Sequence, residues 1–443
     1  MPIVYVHGVS VRDEKGWEHL ELLLRRYIAP TISDDPANVS ITRCYWGEFG
    51  ARFRFGGVSI PNSPLRIMLK DRSLSKFTKA QLGKLKETSQ QAVNKVKMKT
   101  SGRHHSNMSP KQDALVAIDE DGQSEFVNSQ EEFKLATLSP ENLSDLLAQA
   151  VVSSGELDGE GTVLATLAAD EIAHEESTFA ALRKCKDAQE EVKLMRELVV
   201  ARYEKLKGTI SLNRKKLPVL KEGILVNLLE SVARTVHGAG FAMTRAAAEV
   251  KNPLNQFVTM FIGDVFAYLM ERGDCRAPGW IPSTFIAALS EAQQNKVERG
   301  GEPLIVMSHS MGGQIVYDMV THFLPKMEEC KDIRVDFWCA TASQVGLFEE
   351  LKLFLESKED FGLSTGQAVP YPDSEHLGYW WNVWDHNDFV SYSASSIIEK
   401  VDDEPYSTGM ALVSAHGGYL QLPSFFRRFA KKLKTAKSRG WNI

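Results

Sequence analysis

The chain has 443 residues, of which 43% are hydrophobic and 25% charged, with 52 Lys and Arg against 57 Asp and Glu. That length accommodates two or three domains, or one α/β domain carrying insertions, and the composition excludes a disordered or fibrous protein. The net charge of −5 supplies no basic field for nucleic acid, so none is expected as a partner.

The five cysteines, Cys44, Cys185, Cys275, Cys330 and Cys339, form no C-x-x-C pair. Neither a zinc site nor a disulfide framework is expected, and a reducing compartment suits them. The N-terminus opens on a strand rather than on a basic and then apolar leader. The longest uncharged run, residues 405–426, is broken by Gly409, Gly417, Gly418 and Pro423, so it does not read as a membrane span. A cytoplasmic location follows as the expectation, with or without peripheral membrane association.

In chain order, Ile3, Val4, Tyr5 and Val6 predict a strand, broken by His7-Gly8. Trp17, Leu20, Leu23 and Leu24 predict an amphipathic helix, and residues 39–46 a second strand, which together make a βαβ unit. From residue 51 to residue 251 the pattern changes. Residues 70–105 are basic and helical in places, and 113–161 are polar, acidic and read as loop or disorder. Residues 170–207 predict one long helix, paired in a hairpin, and 217–250 a more apolar stretch. The insertion has two readings: helices packed on the core, or an acyl-binding or membrane-facing lid. Residues 257–270 and 285–297 predict helices, the first with Asp264 as a hydrogen-bonded structural acid. Strands are predicted at 304–307, at 333–340 with alternating burial, at 379–384, and at 410–415 ending on His416. A basic helix closes the chain, with seven Lys or Arg and no acid over 427–439.

The informative stretch is Leu304-Ile-Val-Met-Ser-His-Ser-Met-Gly-Gly, followed by Ile315, Val316, Met319 and Val320 at helical spacing. A serine between a buried strand and a helix, with small residues on either side, is a variant of the G-x-S-x-G nucleophile elbow, here with Ser308 in the first small position. Ser310 is the candidate nucleophile. Gly8 allows the chain after the first strand to turn, so that the N–H of Val9 or its neighbour joins that of Met311 as an oxyanion hole. A serine hydroxyl also needs a base and an acid that orients it. His416 is the candidate base, and Asp388 the candidate acid. Asp385 competes with Asp388, but lies nearer the strand end and reads better as structural. His309 adjoins Ser310 and points away from it, which suits packing; His309 and His7 are the candidates for the substrate-facing wall.

With Val6-His7-Gly8, Ser308-His309-Ser310-Met311-Gly312-Gly313, Asn387-Asp388-Phe389-Val390 and His416 followed by Tyr419, the chain resembles the α/β-hydrolase superfamily. It is most similar to lipase-like serine esterases, including the bacterial true lipases and the GPI inositol-deacylase-like group. The resemblance covers residues 1–50 and 252–443, and leaves out the helical insertion at 51–251. It implies an α/β-hydrolase fold, a mostly parallel sheet of about six strands flanked by helices. It implies a Ser310, Asp388, His416 triad cleaving carboxylic esters of a lipid or acylated molecule, with no cofactor and no metal. Ala-Ser-Gln after Ala340 departs from the Gly-Ser-Pro common in such lipases. Other specificities on the same triad remain open: thioesterase, depalmitoylase or peptidase. So does a non-enzymatic scaffold that binds a membrane or a protein. The insertion or the basic terminal helix is a candidate membrane contact, and the long helices are candidates for a partner protein or self-association.

Overall fold

The structure is a computed structural model that describes residues 2–12, 16–54, 117–118, 124–125, 134–154, 159–210, 251–410 and 412–442. The stretches 70–105 and 217–250 lie outside these. Two units separate, Met1–Ile67 with Lys251–Ile443, and Met68–Val250.

The first unit is built on six strands: β1 (Pro2–Val6), β2 (Ser40–Cys44), β3 (Ile305–His309), β4 (Val335–Thr341), β5 (Leu377–Trp384) and β6 (Asp402–Pro405). Every pairing is parallel, in the order β2-β1-β3-β4-β5-β6. β1, β3 and β4 are buried at every position, as strands covered on both faces must be. The alternation expected at residues 333–340 is therefore absent. Its one acid, Asp336, stays buried because its carboxylate accepts from Lys296, Arg334 and the Leu304 N–H.

The first unit carries the helices α1 (Trp17–Leu23), α6 (Lys251–Glu271), α7 (Trp280–Glu298), α8 (Gly312–Asp318), α9 (Val345–Glu350), α10 (Leu412–Gly418) and α11 (Pro423–Ser438), and the second unit α2 (Pro140–Ser154), α3 (Gly159–Ala173), α4 (Glu176–Leu182) and α5 (Ala188–Ile210). On one face of the sheet Val4, Val6, Val306, Trp338 and Trp380 share a core with Phe285 and Leu289 of α7 and Ile315 and Val316 of α8. On the other face Phe337 and Trp381 meet Phe425 and Phe429 of α11, with ring centroids 5.7 to 5.9 Å apart. Burying one such aromatic ring contributes about 1.5–3 kcal/mol, so the terminal basic helix is held by its apolar face.

Three predicted elements change. Residues 410–415 are not a strand: α10 covers them from Leu412, because Ala415, His416 and Tyr419 repeat at helical spacing and Ala415 and Tyr419 are buried. The last strand is instead β6, whose sequence Asp-Asp-Glu-Pro has no apolar signature. Its carboxylates accept from neighbours: Asp402 from Tyr379 and Lys432, Asp403 from Asn382 and Ser393, Glu404 from Trp381.

The second unit corrects the other two. Residues 140–154, expected to be loop, form α2: Ser139 caps it by accepting the Asn142 N–H at 3.2 Å, Pro140 sits in its first turn, and Leu143, Leu146, Leu147, Ala150 and Val151 are buried. The single helix expected over 170–207 is three. α3 ends where the His174 ring meets the Asp170 carbonyl at 2.9 Å. α5 starts at a capping box, with Asp187 accepting the Glu190 N–H and Glu190 accepting the Lys186 N–H, both at 2.8 Å. These helices share a core of their own, in which Leu164, Ala168 and Ile172 meet Val192, Met195 and Val199. Among the described residues no helix is long and apolar enough to cross a membrane.

Candidate active site

The strand order places a topological switch between β1 and β3, since the chain leaves β1 toward β2 on one side and returns at β3 on the other. In open parallel sheets the crevice at the carboxyl ends of such strands is where ligands bind. Gly8 follows β1 and Ser310 follows β3, so both stand at this crevice.

Their approach is close. A Cβ at Gly8 would lie 2.6 Å from the Ser310 Cβ, and one at Gly312 would lie 2.4 Å from the Val6 carbonyl oxygen. Glycine is required at both for that reason. Gly8 does not adopt a positive φ, so its role is proximity rather than the freedom to turn expected from the sequence. The left-handed residue of this loop is Ser10, at φ 65°.

Ser310 itself sits at φ 54°, a conformation that costs a non-glycine residue about 1–2 kcal/mol. It is held by its own N–H, which donates to the Thr341 carbonyl at 2.8 Å, while its carbonyl accepts from Gly313 at 2.8 Å. The turn feeds α8, and Met311 is the residue that caps it. N–H groups at a helix start lack intrahelical acceptors, so that of Met311 is suited to an anion. The Ser310 hydroxyl is buried and has no hydrogen-bond partner, an arrangement that costs about 1–3 kcal/mol unless a ligand or reaction uses it. Ser308, in the place where glycine is commoner, is fully buried and accepts the indole N–H of Trp338 at 2.8 Å.

Asp388 follows β5 and His416 lies in α10. The His416 Nδ1 is 2.9 and 3.1 Å from the two Asp388 carboxylate oxygens. That pairing makes Nδ1 the donor and leaves Nε2 as the basic nitrogen. The Val390 N–H donates to the same carboxylate at 3.2 Å. Asp385 is occupied elsewhere: it accepts the Thr408 N–H at 2.7 Å, the Thr408 hydroxyl at 2.6 Å and the Asn387 N–H at 2.8 Å. It thus fastens the loop that leads to α10.

His309 connects the imidazole to the elbow. Its ring packs against that of His416 with centroids 4.8 Å apart, so the imidazole of the Asp388–His416 pair lies against the residue that precedes Ser310 in the chain. Its Nδ1 meets the Thr341 hydroxyl at 3.2 Å, and that hydroxyl donates to the Ser308 carbonyl at 2.9 Å. The His309 Nδ1 therefore carries the proton. Burial, then the neighbouring His416 and His7, hold its pKa well below the ordinary histidine value, so it stays neutral. A neutral ring adds no charge against the imidazolium that a base must become.

His7 has a task other than facing substrate. It is 1% exposed, and its Nε2 accepts the Trp46 N–H at 3.0 Å while its Nδ1 meets the Gly8 carbonyl at 2.7 Å. The Nδ1–H must then donate to Gly8. Because a peptide's N–H points opposite to its C=O, this bond sets the direction of the Val9 N–H. Burial lowers the His7 pKa to about 3, which keeps the donor and acceptor roles fixed.

Several supporting residues carry no signal in the sequence. Gln344 donates to the Val390 carbonyl at 2.5 Å and accepts from Gln314 of α8 at 2.7 Å, tying the acid loop to the elbow helix. The Ala-Ser-Gln departure thus has a structural use. Trp46 and Thr341 were equally unmarked. Among the described residues no group of three or more His, Cys, Asp or Glu side chains is placed to hold a metal ion. Compared with known protein families, with characterised proteins and with solved structures, the chain matches none.

Proposed function

We propose that the protein is a serine hydrolase of the α/β-hydrolase kind, which cleaves carboxylic esters through an acyl-enzyme. Ser310 attacks the acyl carbon, and its proton passes to the Nε2 of His416. Asp388 holds the imidazole in the required tautomer and stabilises the imidazolium. The developing oxyanion takes hydrogen bonds from the N–H groups of Met311 and Val9, each worth roughly 100- to 1000-fold in rate. The proton then goes to the leaving alcohol, and a water molecule repeats the sequence to release the acid. The observation that carries this reading is the left-handed, buried Ser310 at the switch crevice, next in the chain to His309, whose ring packs on an imidazole already paired to a carboxylate. A lipid or acylated molecule is the proposed substrate class; it rests on the resemblance to lipase-like esterases.

The test is labelling with a fluorophosphonate, alongside hydrolysis of a p-nitrophenyl ester series of increasing chain length with and without liposomes. Wild type should label and Ser310→Ala should not, with turnover favouring longer chains. Folded wild type that neither labels nor turns over any ester would sink the hydrolase reading. A preference for short soluble esters, indifferent to liposomes, would remove the lipid.

A further inference from the structure

The oxyanion loop is tied to something outside the crevice. Asp264 lies in α6, the helix by which the chain returns from the insertion, and its side chain is fully buried. Its two oxygens collect three donors from three places. Oδ2 accepts the Ser10 N–H at 2.8 Å, Oδ1 accepts the Ala51 N–H at 2.8 Å, and Oδ1 also pairs with the Arg12 guanidinium. Ser10 is the residue after Val9 and holds the left-handed φ of the loop. Ala51 lies where the chain leaves the sheet toward the insertion, and Arg12 also reaches the Ala51 carbonyl at 3.4 Å.

Two glycines admit this arrangement. A Cβ at Gly50 would lie 2.7 Å from Asp264 Oδ1 and 2.6 Å from Arg12 Nη2, and a Cβ at Gly263 would lie 2.8 Å from that of Ala51. A buried carboxylate stripped of its donors is costly, so the three attachments stand or fall together. A non-glycine residue at positive φ persists only where its surroundings over-determine it, and here the surroundings are the Asp264 carboxylate.

We infer that Asp264 is a positioning residue: it locks the Gly8–Ser10 loop to both chain crossings of the insertion, so that the aim of the Val9 N–H depends on where those crossings sit. This inference rests on the hydrolase reading for its effect on rate, but not for the mechanical link itself. Force or binding that shifts residue 51 or α6 is transmitted to the oxyanion donor through one carboxylate. The insertion is thereby given a route to the site that needs no residue of its own in the crevice.

The experiment uses the full chain as wild type, Asp264→Asn and Arg12→Gln. The Arg12 guanidinium on Oδ1 holds the amide oxygen there, so the NH2 faces the Ser10 N–H, and that donor loses its partner. Hydrogen–deuterium exchange should rise about tenfold or more in peptides covering both 7–12 and 47–54, and stay unchanged in β4 and β5. Fluorophosphonate labelling of Ser310 and kcat for a p-nitrophenyl ester should fall about 100-fold, with KM within a few-fold, because the lost interaction belongs to the transition state. Arg12→Gln keeps both backbone donors on the carboxylate and should show the same pattern at about a tenth of the size; it decides the matter if Asp264→Asn does not fold. Exchange that rises at 47–54 alone, or not at all, overturns the link. Faster exchange in 7–12 with labelling and kcat at wild-type levels overturns the positioning role. If wild type neither labels nor turns over ester, the hydrolase reading falls, and the exchange result still decides the link.

Discussion

Replacing Asp388 by Asn should stop turnover by imposing the wrong tautomer on His416, while Asp385→Asn should not. The prediction follows from how each carboxylate is bonded. Asp388 receives the Val390 N–H on Oδ1 at 3.2 Å, and its Oδ2 is the closer oxygen to His416 Nδ1, at 2.9 Å. An asparagine there places its carbonyl toward Val390 and its NH2 toward the imidazole. Nδ1 must then accept, Nε2 carries the proton, and the ring can no longer take one from Ser310. A change of this kind costs up to about 10,000-fold in kcat, equivalent to about 5.4 kcal/mol at 1.36 kcal/mol per decade. Asp385 instead serves Thr408 and Asn387, and Thr408 is fully buried. Its amide leaves one buried donor without an acceptor, a loss of about 1–3 kcal/mol of stability, with kcat lowered less than about tenfold. Steady-state kinetics on one ester and thermal unfolding of both variants make the comparison. The reasoning is refuted if Asp385→Asn loses more kcat than Asp388→Asn, or if Asp388→Asn retains wild-type turnover.

Gly8→Ala should cut fluorophosphonate labelling by about 100-fold or more, since its Cβ would meet that of Ser310 at 2.6 Å; labelling at the wild-type rate would show that the close approach does not matter. Gly312→Ala should destabilise by about 1–3 kcal/mol or more, because its Cβ would meet the Val6 backbone oxygen at 2.4 Å. Gly417→Ala, whose Cβ would meet only Gln421 at 3.8 Å, should be neutral or stabilise by about 0.5–1 kcal/mol; denaturant titration separates the two. For pH, the unfolded chain protonates His7 near pH 6.5 whereas the native state resists until about pH 3, so stability is full above 6.5 and is lost as pH falls toward 3. Between pH 7 and pH 5 His7 should contribute about 2 kcal/mol of that loss. His7→Gln should shrink the difference by that amount, and an undiminished difference would count against a neutral buried His7.

The strands β1, β3 and β5 were legible because a strand buried on both faces must be written in apolar residues. The Ser310 turn was legible because its small neighbours and its strand and helix all lie within one short stretch. β6 was not, since its residues are chosen to accept from Tyr379, Lys432 and Asn382, and those partners are known only after folding. α2 and the start of α5 had local signals, Ser139-Pro140 and the Asp187-to-Glu190 capping box, that outweigh a polar composition when they are read. His7 shows the opposite limit. Its sequence context suggests a residue facing the crevice, yet the Trp46 N–H and the Gly8 carbonyl take both ring nitrogens, and Trp46 is reached only through the βαβ fold. Asp264 was recognisable as a bonded acid, but not its three donors, which come from Ser10, Arg12 and Ala51.

The place of β3 between β1 and β4 has a consequence for synthesis. β1 and β2 emerge early, but the strand that covers the other edge of β1 follows roughly 260 residues after β2, or about 13–50 s at ordinary elongation rates. Through that interval the inner edge of β1, with Ile3, Val4 and Val6, has no neighbour, and the insertion is made while it waits. An open apolar edge of this kind recruits chaperones or other strands. Overproduction at a reduced elongation rate should therefore lower the soluble yield of this chain, whereas a permuted chain in which β3 directly follows β2 should escape that loss.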